Sequence, residues 1–223
     1  MNYTKPDLTV DIVLLTLIEG RLHVALMRRD KAPEEGKWAL VGGYIHADED
    51  TDSTAAALRT LRVKLDFVPS HLEQVCTEAN ATRDPRGWSA SVVHLALHSP
   101  EVLAGLVASK GMQLFDVEDD GEHLPENIAF DHQKLIRLAV ERLRAKAGYS
   151  TIVAHMLPET FTLPELQGVY ESVLGKALNP ANFRRKILER AALEVVGTLH
   201  GTGRPAQTYR LGHELDYFDR QLA

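Results

Sequence analysis

Residues 42–59 carry a pair of glycines, a glutamate and an arginine at a spacing suited to phosphate chemistry. Gly42 and Gly43 would let a ligand approach the backbone closely, Glu49 follows after five intervening residues, and Arg59 lies in a helix-forming segment. Hydrolysis of a phosphoanhydride needs divalent cations beside the diphosphate, and Mg²⁺ prefers the oxygen ligands that glutamates one helical turn apart can supply. The segment therefore indicates a diphosphate site, whose metal chemistry depends on the carboxylates that follow Arg59.

The carboxylates that such a metal site requires are missing after Arg59. The spacing resembles the Nudix signature, yet nine residues separate Glu49 from Arg59 where the signature has seven. The three remaining glutamates of the signature align with Thr60, Val63 and Lys64. A lysine there repels a cation, because like charges ~4 Å apart cost roughly 4 kcal/mol at an effective dielectric of about 20. The resemblance implies a Nudix fold that has lost its metal site and has no catalytic residue, although a shifted helix register could recruit other acids: Asp48, Asp50 or Asp52.

A second candidate for ligand binding is the loop RDPRGW, from Arg83 to Trp88. Its guanidiniums, aspartate and indole are groups that grip diphosphate oxygens, ribose hydroxyls and an adenine face, but solvated loop charges beside a partly buried tryptophan explain the pattern equally well. Arg29 either faces the ligand or marks an exposed strand end, and Arg59 could instead position Glu49 by ion pairing. The candidate effector-binding residues are Arg29, Gly43, Glu49, Arg59, Arg83, Arg86 and Trp88.

Strand and helix signals over about the first 148 residues predict an α+β domain. The runs LTVDIVLLTLI and LHVALMRR are predicted strands joined by a glycine turn, and further strands are predicted at LEQVCTEA, WSASVVHLALH and MQLFDV. Apolar residues at spacings of three and four predict one helix after an Asp52 or Ser53 cap and another from Asp131 to Gly148. In the second helix we expect Asp131 to be the N-cap and His132 to be an exposed first-turn residue.

Composition and charge limit the class of protein. The chain has 223 residues, 44% hydrophobic and 25% charged, which is ordinary for one or two globular domains. The formal charge of −6 argues against a surface coated with nucleic acid, so any DNA contact must be local. A single cysteine, Cys76, excludes an internal disulfide framework. Neither a targeting segment nor an apolar run long enough to span a bilayer is evident, which favours a cytoplasmic protein without a membrane partner.

The segment beyond residue 148 has the element order of a winged helix-turn-helix. Thr162 opens a capping-box pattern before a helix that Gly175 ends, and Asn179 with the following proline begins a second helix after a short turn. Two strand-like runs, LEVVGTLH and AQTYRL, follow and are joined by the loop GTGRPA. We therefore predict two domains, residues 1–148 for effector binding and residues 149–223 for DNA binding.

Local charge and the outward face of the second helix favour DNA binding. Residues 176–210 contain seven lysines and arginines and two glutamates, a local excess of five positive charges. Phe183 and Ile187 occupy the inward face of the helix, which leaves its polar face for the major groove. The alternative is an oligomerisation or docking domain with a solvated basic face. The candidate DNA-binding residues are Thr162, Asn182, Arg185 and Lys186, with Arg204 at the tip of the wing.

The order of motifs along nearly the whole chain resembles the Nudix-related transcriptional regulators of NAD metabolism. The degenerate Nudix box, LEQVCTEANATRDPRGWSASVVHLAL, AFDHQKLI, FTLPELQ and GTGRPAQTYRL carry this resemblance. It implies an N-terminal Nudix-like mixed-sheet α/β/α sandwich, a winged helix, and a homodimeric repressor that binds operator DNA of NAD biosynthesis or salvage genes. It also implies ADP-ribose as the effector, with no required cofactor. Two alternatives stay open, an active ADP-ribose pyrophosphatase with an accessory domain and a sugar-responsive repressor.

Overall fold

The chain forms two packed units, each built on its own β-sheet. The computed structural model describes residues 5–118, 122–199 and 205–218. The larger sheet has seven strands and the smaller has three, and the predicted α+β class is confirmed. Within the described ranges, no helix combines the length and the apolar character needed to cross a membrane.

The larger sheet is mixed and is centred on a long, buried strand. Its strands are β1 (Asp7–Ile18), β2 (Arg21–Arg28), β3 (Trp38–Ala39), β4 (Val41–Tyr44), β5 (His71–Asn80), β6 (Ser89–Leu97) and β7 (Met112–Asp116). Strand β1 runs parallel to β6, while all other pairs are antiparallel. On its other edge, β1 pairs with β4 through its N-terminal half and with β2 through its C-terminal half. This change of partner divides the sheet near the middle of β1.

Helices cover both faces of this sheet, so the predicted α/β/α sandwich is confirmed. They are α1 (Ser53–Leu65), α2 (Pro100–Lys110) and α3 (His132–Ala147). Successive side chains of β1 point to opposite faces: Ile12 packs in a cluster with α1 and α2, whereas Val13 packs in a cluster with α3. Asp52 caps α1 as predicted, accepting a hydrogen bond from the amide of Ala55 at 2.8 Å.

The smaller unit has the helix and strand order of a winged helix. It comprises a 3₁₀ helix (Ile152–Met156), β8 (Phe161–Thr162), α4 (Leu163–Leu174), α5 (Pro180–Arg190), β9 (Leu193–Leu199) and β10 (Ala206–Leu211). The predicted capping box is present, because Thr162 and Glu165 satisfy each other's backbone amides, and Gly175 ends α4 in the left-handed conformation. Strand β10 lies between β8 and β9, which leaves β9 at an edge.

One apolar cluster continues from the larger sheet into the smaller unit. It includes Val13 of β1 and Leu135 of α3 together with Tyr170 of α4 and Phe183 of α5. The rings of Tyr170 and Phe183 meet edge to face at a centroid distance of 5.4 Å. The two units therefore share a hydrophobic core rather than a solvated linker.

Candidate functional site

A cavity of about 550 Å³ opens where β1 changes its partner from β4 to β2. Its wall includes parts of β1, β2 and β4, the C-terminal end of α1, the loop after β2 and the first turn of α3. Its volume is typical of a small-molecule site. Three aspartates line it against six basic side chains, which are Arg28, Arg29, Lys31, Lys64, Arg83 and Arg86. This excess of positive charge favours an anionic ligand.

Four of these cations lack a carboxylate partner among the described residues, and three of them make backbone or ring contacts. Arg29 donates to the carbonyl of Pro33 at 2.9 Å, and its guanidinium lies 4.7 Å from the ring centroid of Phe130. Lys64 donates to the carbonyl of Gly42 at 2.5 Å. Arg28 donates to a carbonyl and stacks over an indole, and Lys31 completes the group. Because carbonyls and rings do not neutralise a full charge, these side chains stay available to an anion.

The back of the cavity is a buried ionic network centred on Arg83. Its guanidinium contacts Asp131 at 3.0 and 3.1 Å and Asp11 at 3.3 Å. Ser91 also donates to Asp11, at 2.6 Å. Both Arg83 and Asp11 are more than nine-tenths buried. The two aspartates therefore neutralise the charge of Arg83. Through them, the guanidinium joins β1 to the start of α3.

The same network explains why the start of α3 differs from two of the predictions made from the sequence. Asp131 occupies the N-cap position but makes no side-chain capping hydrogen bond, because its carboxylate binds Arg83. His132 was expected to be exposed and is buried instead, with Nδ1 accepting from the amide of Leu40 at 3.0 Å and Nε2 lying 3.5 Å from Asp11. Desolvation lowers the pKa of His132, so the imidazole is neutral and presents its Nε2 proton to Asp11.

Close packing around the cavity explains why residues 42 and 43 are glycines. A Cβ atom added at Gly42 would lie 2.3 Å from a carboxylate oxygen of Asp11 and 2.7 Å from the carbonyl of Val10. A Cβ atom at Gly43 would lie 3.3 Å from the hydroxyl of Thr60. Glycine at position 42 is therefore required by the neighbouring strand itself, whether or not a ligand is bound.

The residues at the expected Nudix metal position do not fit a divalent cation. Thr60 is buried against Gly43, Val63 is 76% exposed to solvent, and Lys64 puts an ammonium on the cavity wall. Among the described residues, no group of three histidine, cysteine or acidic side chains could hold a metal ion. The carboxylate positions that a Nudix hydrolase uses are thus filled by a hydroxyl, an alkyl group and a positive charge.

Glu49 and Asp50, the acidic residues of the loop before α1 that pair with Arg59, do not fill this gap. Asp50 accepts two hydrogen bonds from Arg59, both at 2.7 Å, and this interaction lowers the pKa of Asp50 to about 2. Glu49 lies on the solvent side, 3.1 Å from a ring nitrogen of His46 and 3.9 Å from Arg59. The predicted pairing of Arg59 with this acidic loop is present, with Asp50 rather than Glu49 as the main partner.

The second candidate surface is the outward face of α5. Phe183 and Ile187 are buried against the rest of the unit, whereas Asn182 and Arg185 are exposed and Lys186 is half-buried. Arg185 forms an ion pair with Glu189 at 3.2 Å, which is weak at such exposure. This face presents polar and basic side chains as a major-groove helix requires.

Two other predicted DNA contacts have different surroundings. Thr162 is buried, and its hydroxyl donates to Glu165 at 2.8 Å within the capping box. Its position is explained by helix capping. Arg204 lies outside the described residues, and so does most of the wing loop that was expected to carry it.

Comparison with known proteins relates both the smaller unit and the whole chain to one family. Residues 153–211 match the NrtR DNA-binding winged helix domain. The whole chain is similar to the ADPR responsive transcriptional repressor NtrR of Acinetobacter baylyi, at 35% identity over 225 residues that cover 99% of this chain and 89% of the relative. The chain belongs to the NrtR family.

Solved structures extend this NrtR relationship to the whole fold. Shewanella oneidensis NrtR complexed with a 27mer DNA is 37% identical, with a TM-score of 0.86 and coverage of 97% of this chain and 99% of that chain. The Nudix domain of that protein complexed with ADP ribose is 35% identical, with a TM-score of 0.52 and coverage of 63% and 90%. An ADP-ribose pyrophosphatase of Methanocaldococcus jannaschii is 30% identical over 136 residues, covering 60% of this chain and 73% of the relative. The predicted order of a Nudix unit and a winged helix is therefore confirmed.

Within this NrtR fold, the predicted effector residues fall into two groups. Arg29, Gly43, Arg83 and Arg86 line the cavity, and Arg86 is paired with Asp84 at 2.6 Å. The other group lies beside the cavity rather than in its wall: Glu49, Arg59 and Trp88. Trp88 is 49% exposed and is not part of the cavity wall.

Sequence reasoning missed several residues of the site. Asp11 and His132 belong to the network behind the cavity, and Lys64 was considered only for its effect on a metal. The segment AFDHQKLI had pointed to the start of α3, but an aspartate at a helix start has a simpler explanation as a cap. A stronger signal was Asp11 itself, a charged residue within an otherwise apolar strand.

Proposed function

We propose that this NrtR-family chain is a DNA-binding transcriptional repressor whose Nudix unit senses ADP-ribose without hydrolysing it. Its target genes would be those of NAD biosynthesis or salvage, and it would act as a homodimer in the cytoplasm. The named relatives support the effector and the sign of regulation, since one is described as ADPR responsive and another was solved with DNA and, as its Nudix domain, with ADP ribose.

The observation that carries the proposal is a cavity lined mainly by cations, with no group of metal-ligating side chains among the described residues, in a chain that also has an exposed basic helix. The cavity suits a diphosphate, whereas the hydroxyl, alkyl group and ammonium at positions 60, 63 and 64 do not suit metal-assisted attack by water. A sensor must release its metabolite intact. Loss of the metal ligands with retention of the cavity serves that requirement.

The proposed switch needs two arrangements of the paired winged helices. ADP-ribose would favour the arrangement that does not match the spacing of the operator half-sites, and operator DNA would favour the other. By linkage, DNA must weaken ADP-ribose binding by the same factor that ADP-ribose weakens DNA binding. Arg29, Gly43, Arg83 and Arg86 are the proposed effector contacts from the cavity wall, with Glu49, Arg59 and Trp88 at its edge.

The test is fluorescence anisotropy of the full chain on DNA from upstream of its own operon, titrated with ADP-ribose in magnesium buffer. AMP release is followed by chromatography in the same samples. We expect loss of the DNA complex without AMP. Unchanged operator affinity at saturating ADP-ribose would contradict the effector assignment, and rapid AMP release without a tight DNA complex would favour the pyrophosphatase alternative, which the Methanocaldococcus relative represents.

A matched pair of variants locates the DNA surface in the same assay. The double substitution Asn182→Ala and Arg185→Ala should weaken operator binding by at least about tenfold and flatten its dependence on salt. The control is Lys110→Ala, which removes an exposed lysine at the end of α2. Equal affinities for the two proteins would show that α5 does not contact DNA.

A further inference from the structure

We infer that the ammonium of Lys64 takes the place of the Nudix metal ion and binds the effector's diphosphate, so that binding needs no divalent cation. This inference rests on the proposed function and adds a residue and a metal requirement to it. Of the three residues aligned with the Nudix glutamates, Lys64 alone lines the cavity. Its ammonium therefore supplies a positive charge at the position where a Nudix hydrolase would hold its metal ion.

The contacts of Lys64 leave its charge available. Its Nζ atom donates to the carbonyl of Gly42, and among the described residues no carboxylate lies within ion-pairing distance of it. The residue as a whole is exposed, whereas its ammonium is partly desolvated by the cavity wall. A lysine held by one neutral carbonyl can donate its other two protons to phosphate oxygens.

The neighbouring charges make the cavity unfavourable for a cation and favourable for an anion. Desolvation, followed by the positive charge of Arg29, lowers the pKa of Lys64. Lys31 adds to this repulsion, while Asp11 and Asp30 oppose it. A bound diphosphate would relieve the repulsion between Lys64 and Arg29, because both cations would then share one dianionic group.

A lysine differs from a metal ion in the chemistry that it can support. Both neutralise phosphate oxygens, but an ammonium has no open coordination position and cannot convert a bound water into hydroxide as a metal does. Lys64 therefore supports binding and does not support hydrolysis. The other two residues aligned with the Nudix glutamates supply no carboxylate either: Thr60 is buried against Gly43, and Val63 faces solvent.

The experiment measures ADP-ribose binding to the full chain by isothermal titration calorimetry, in EDTA and in magnesium. We expect wild-type affinity to agree within about twofold in the two buffers, and Lys64→Gln to lose about 10- to 100-fold in both. Lys64→Arg should keep part of the affinity. Lys110→Gln is the matched control and should bind as wild type. Operator binding without effector should be equal for all four proteins, which shows that each variant is folded.

Two results would overturn the role of Lys64: wild-type binding that disappears in EDTA, or Lys64→Gln that binds ADP-ribose as wild type does. A third titration, with inorganic pyrophosphate in EDTA, separates this inference from the proposed function. A wild-type protein that binds pyrophosphate through Lys64 but ignores ADP-ribose would contradict the proposed effector and support the lysine. A wild-type protein that binds neither ligand would overturn both.

Discussion

Among single residues, His132 shows how the cavity wall controls a titratable group. It accepts one hydrogen bond from a backbone amide and is buried, and desolvation lowers its pKa. The buried His94 and His155 have lowered pKa values for the same main reason. In the unfolded chain, each imidazole would titrate near its ordinary pKa of about 6.5. Acid therefore protonates the unfolded state before the folded state.

The sign of the resulting pH dependence is a loss of stability on acidification. The stabilisation is fully present above pH ~6.5 and falls as the pH passes below that value toward the lowered folded-state pKa values, because the unfolded state then binds more protons. Urea unfolding at pH 7.5 and 5.5 measures this change. His132→Asn keeps an acceptor for the Leu40 amide and should flatten the dependence. Equal slopes in wild type and this variant would contradict the assignment.

The residue network behind the cavity could not be predicted from local patterns. Arg83 lies 72 residues from Asp11 and 48 residues from Asp131 along the chain, so only the fold brings the three together. The loop RDPRGW places Arg83 and Arg86 on the cavity wall, but its sequence did not indicate that Arg83 would pair with two buried aspartates. His132 was wrongly expected to be exposed, because a polar residue in a first helical turn usually faces solvent.

At the scale of elements, local signals were sufficient where apolar residues form a stripe along one face of a helix. The predictions for α1, α3, α4 and α5 are confirmed, and each of these helices has a clear apolar stripe. Helix α2 was not predicted, although Ser99, Pro100 and Gly111 flank it, because its apolar residues do not concentrate on one face. The two-residue strands β3 and β8 are too short to give a periodic signal.

The capping box of α4 predicts a measurable contribution to stability. Thr162→Ala removes the acceptor for the amide of Glu165 and should lower the free energy of unfolding by about 0.5–2 kcal/mol. Urea unfolding followed by circular dichroism measures the change. Thr162→Ser keeps the hydroxyl and serves as the control. If both variants were as stable as wild type, the capping contacts would contribute nothing.

At the scale of the whole molecule, the two units are joined by packing. The apolar cluster that begins on β1 and α3 includes α4, α5 and β10, and the hydroxyl of Tyr170 donates to the carbonyl of Ser150 at 2.8 Å within it. A second contact between the units is the stacking of His71 of β5 on His155 of the 3₁₀ helix, with ring centroids 4.9 Å apart. A change at the start of α3 therefore has a continuous packed route to the DNA-binding unit.

This shared core predicts that the full chain unfolds cooperatively. Calorimetry should show one transition, and residues 1–148 alone should melt at a temperature at least about 4 °C lower, because they lose the packing of Tyr170 and its neighbours on α3. Binding of ADP-ribose should raise the temperature of the single unfolding transition of the full chain. Two transitions, of which only one responds to ADP-ribose, would show that the units are independent.

The tight contact at Gly42 explains which parts of the Nudix box can change and which cannot. Any side chain there would collide with Asp11 and with the backbone of β1, so mutation of this position is restricted by folding. The helix positions 63 and 64 carry no such restriction, because Val63 and Lys64 are exposed to solvent. Selection for catalysis and selection for a foldable chain thus act on different residues of one motif. A lineage could therefore lose the residues needed for catalysis and become a sensor while the two glycines stayed in place.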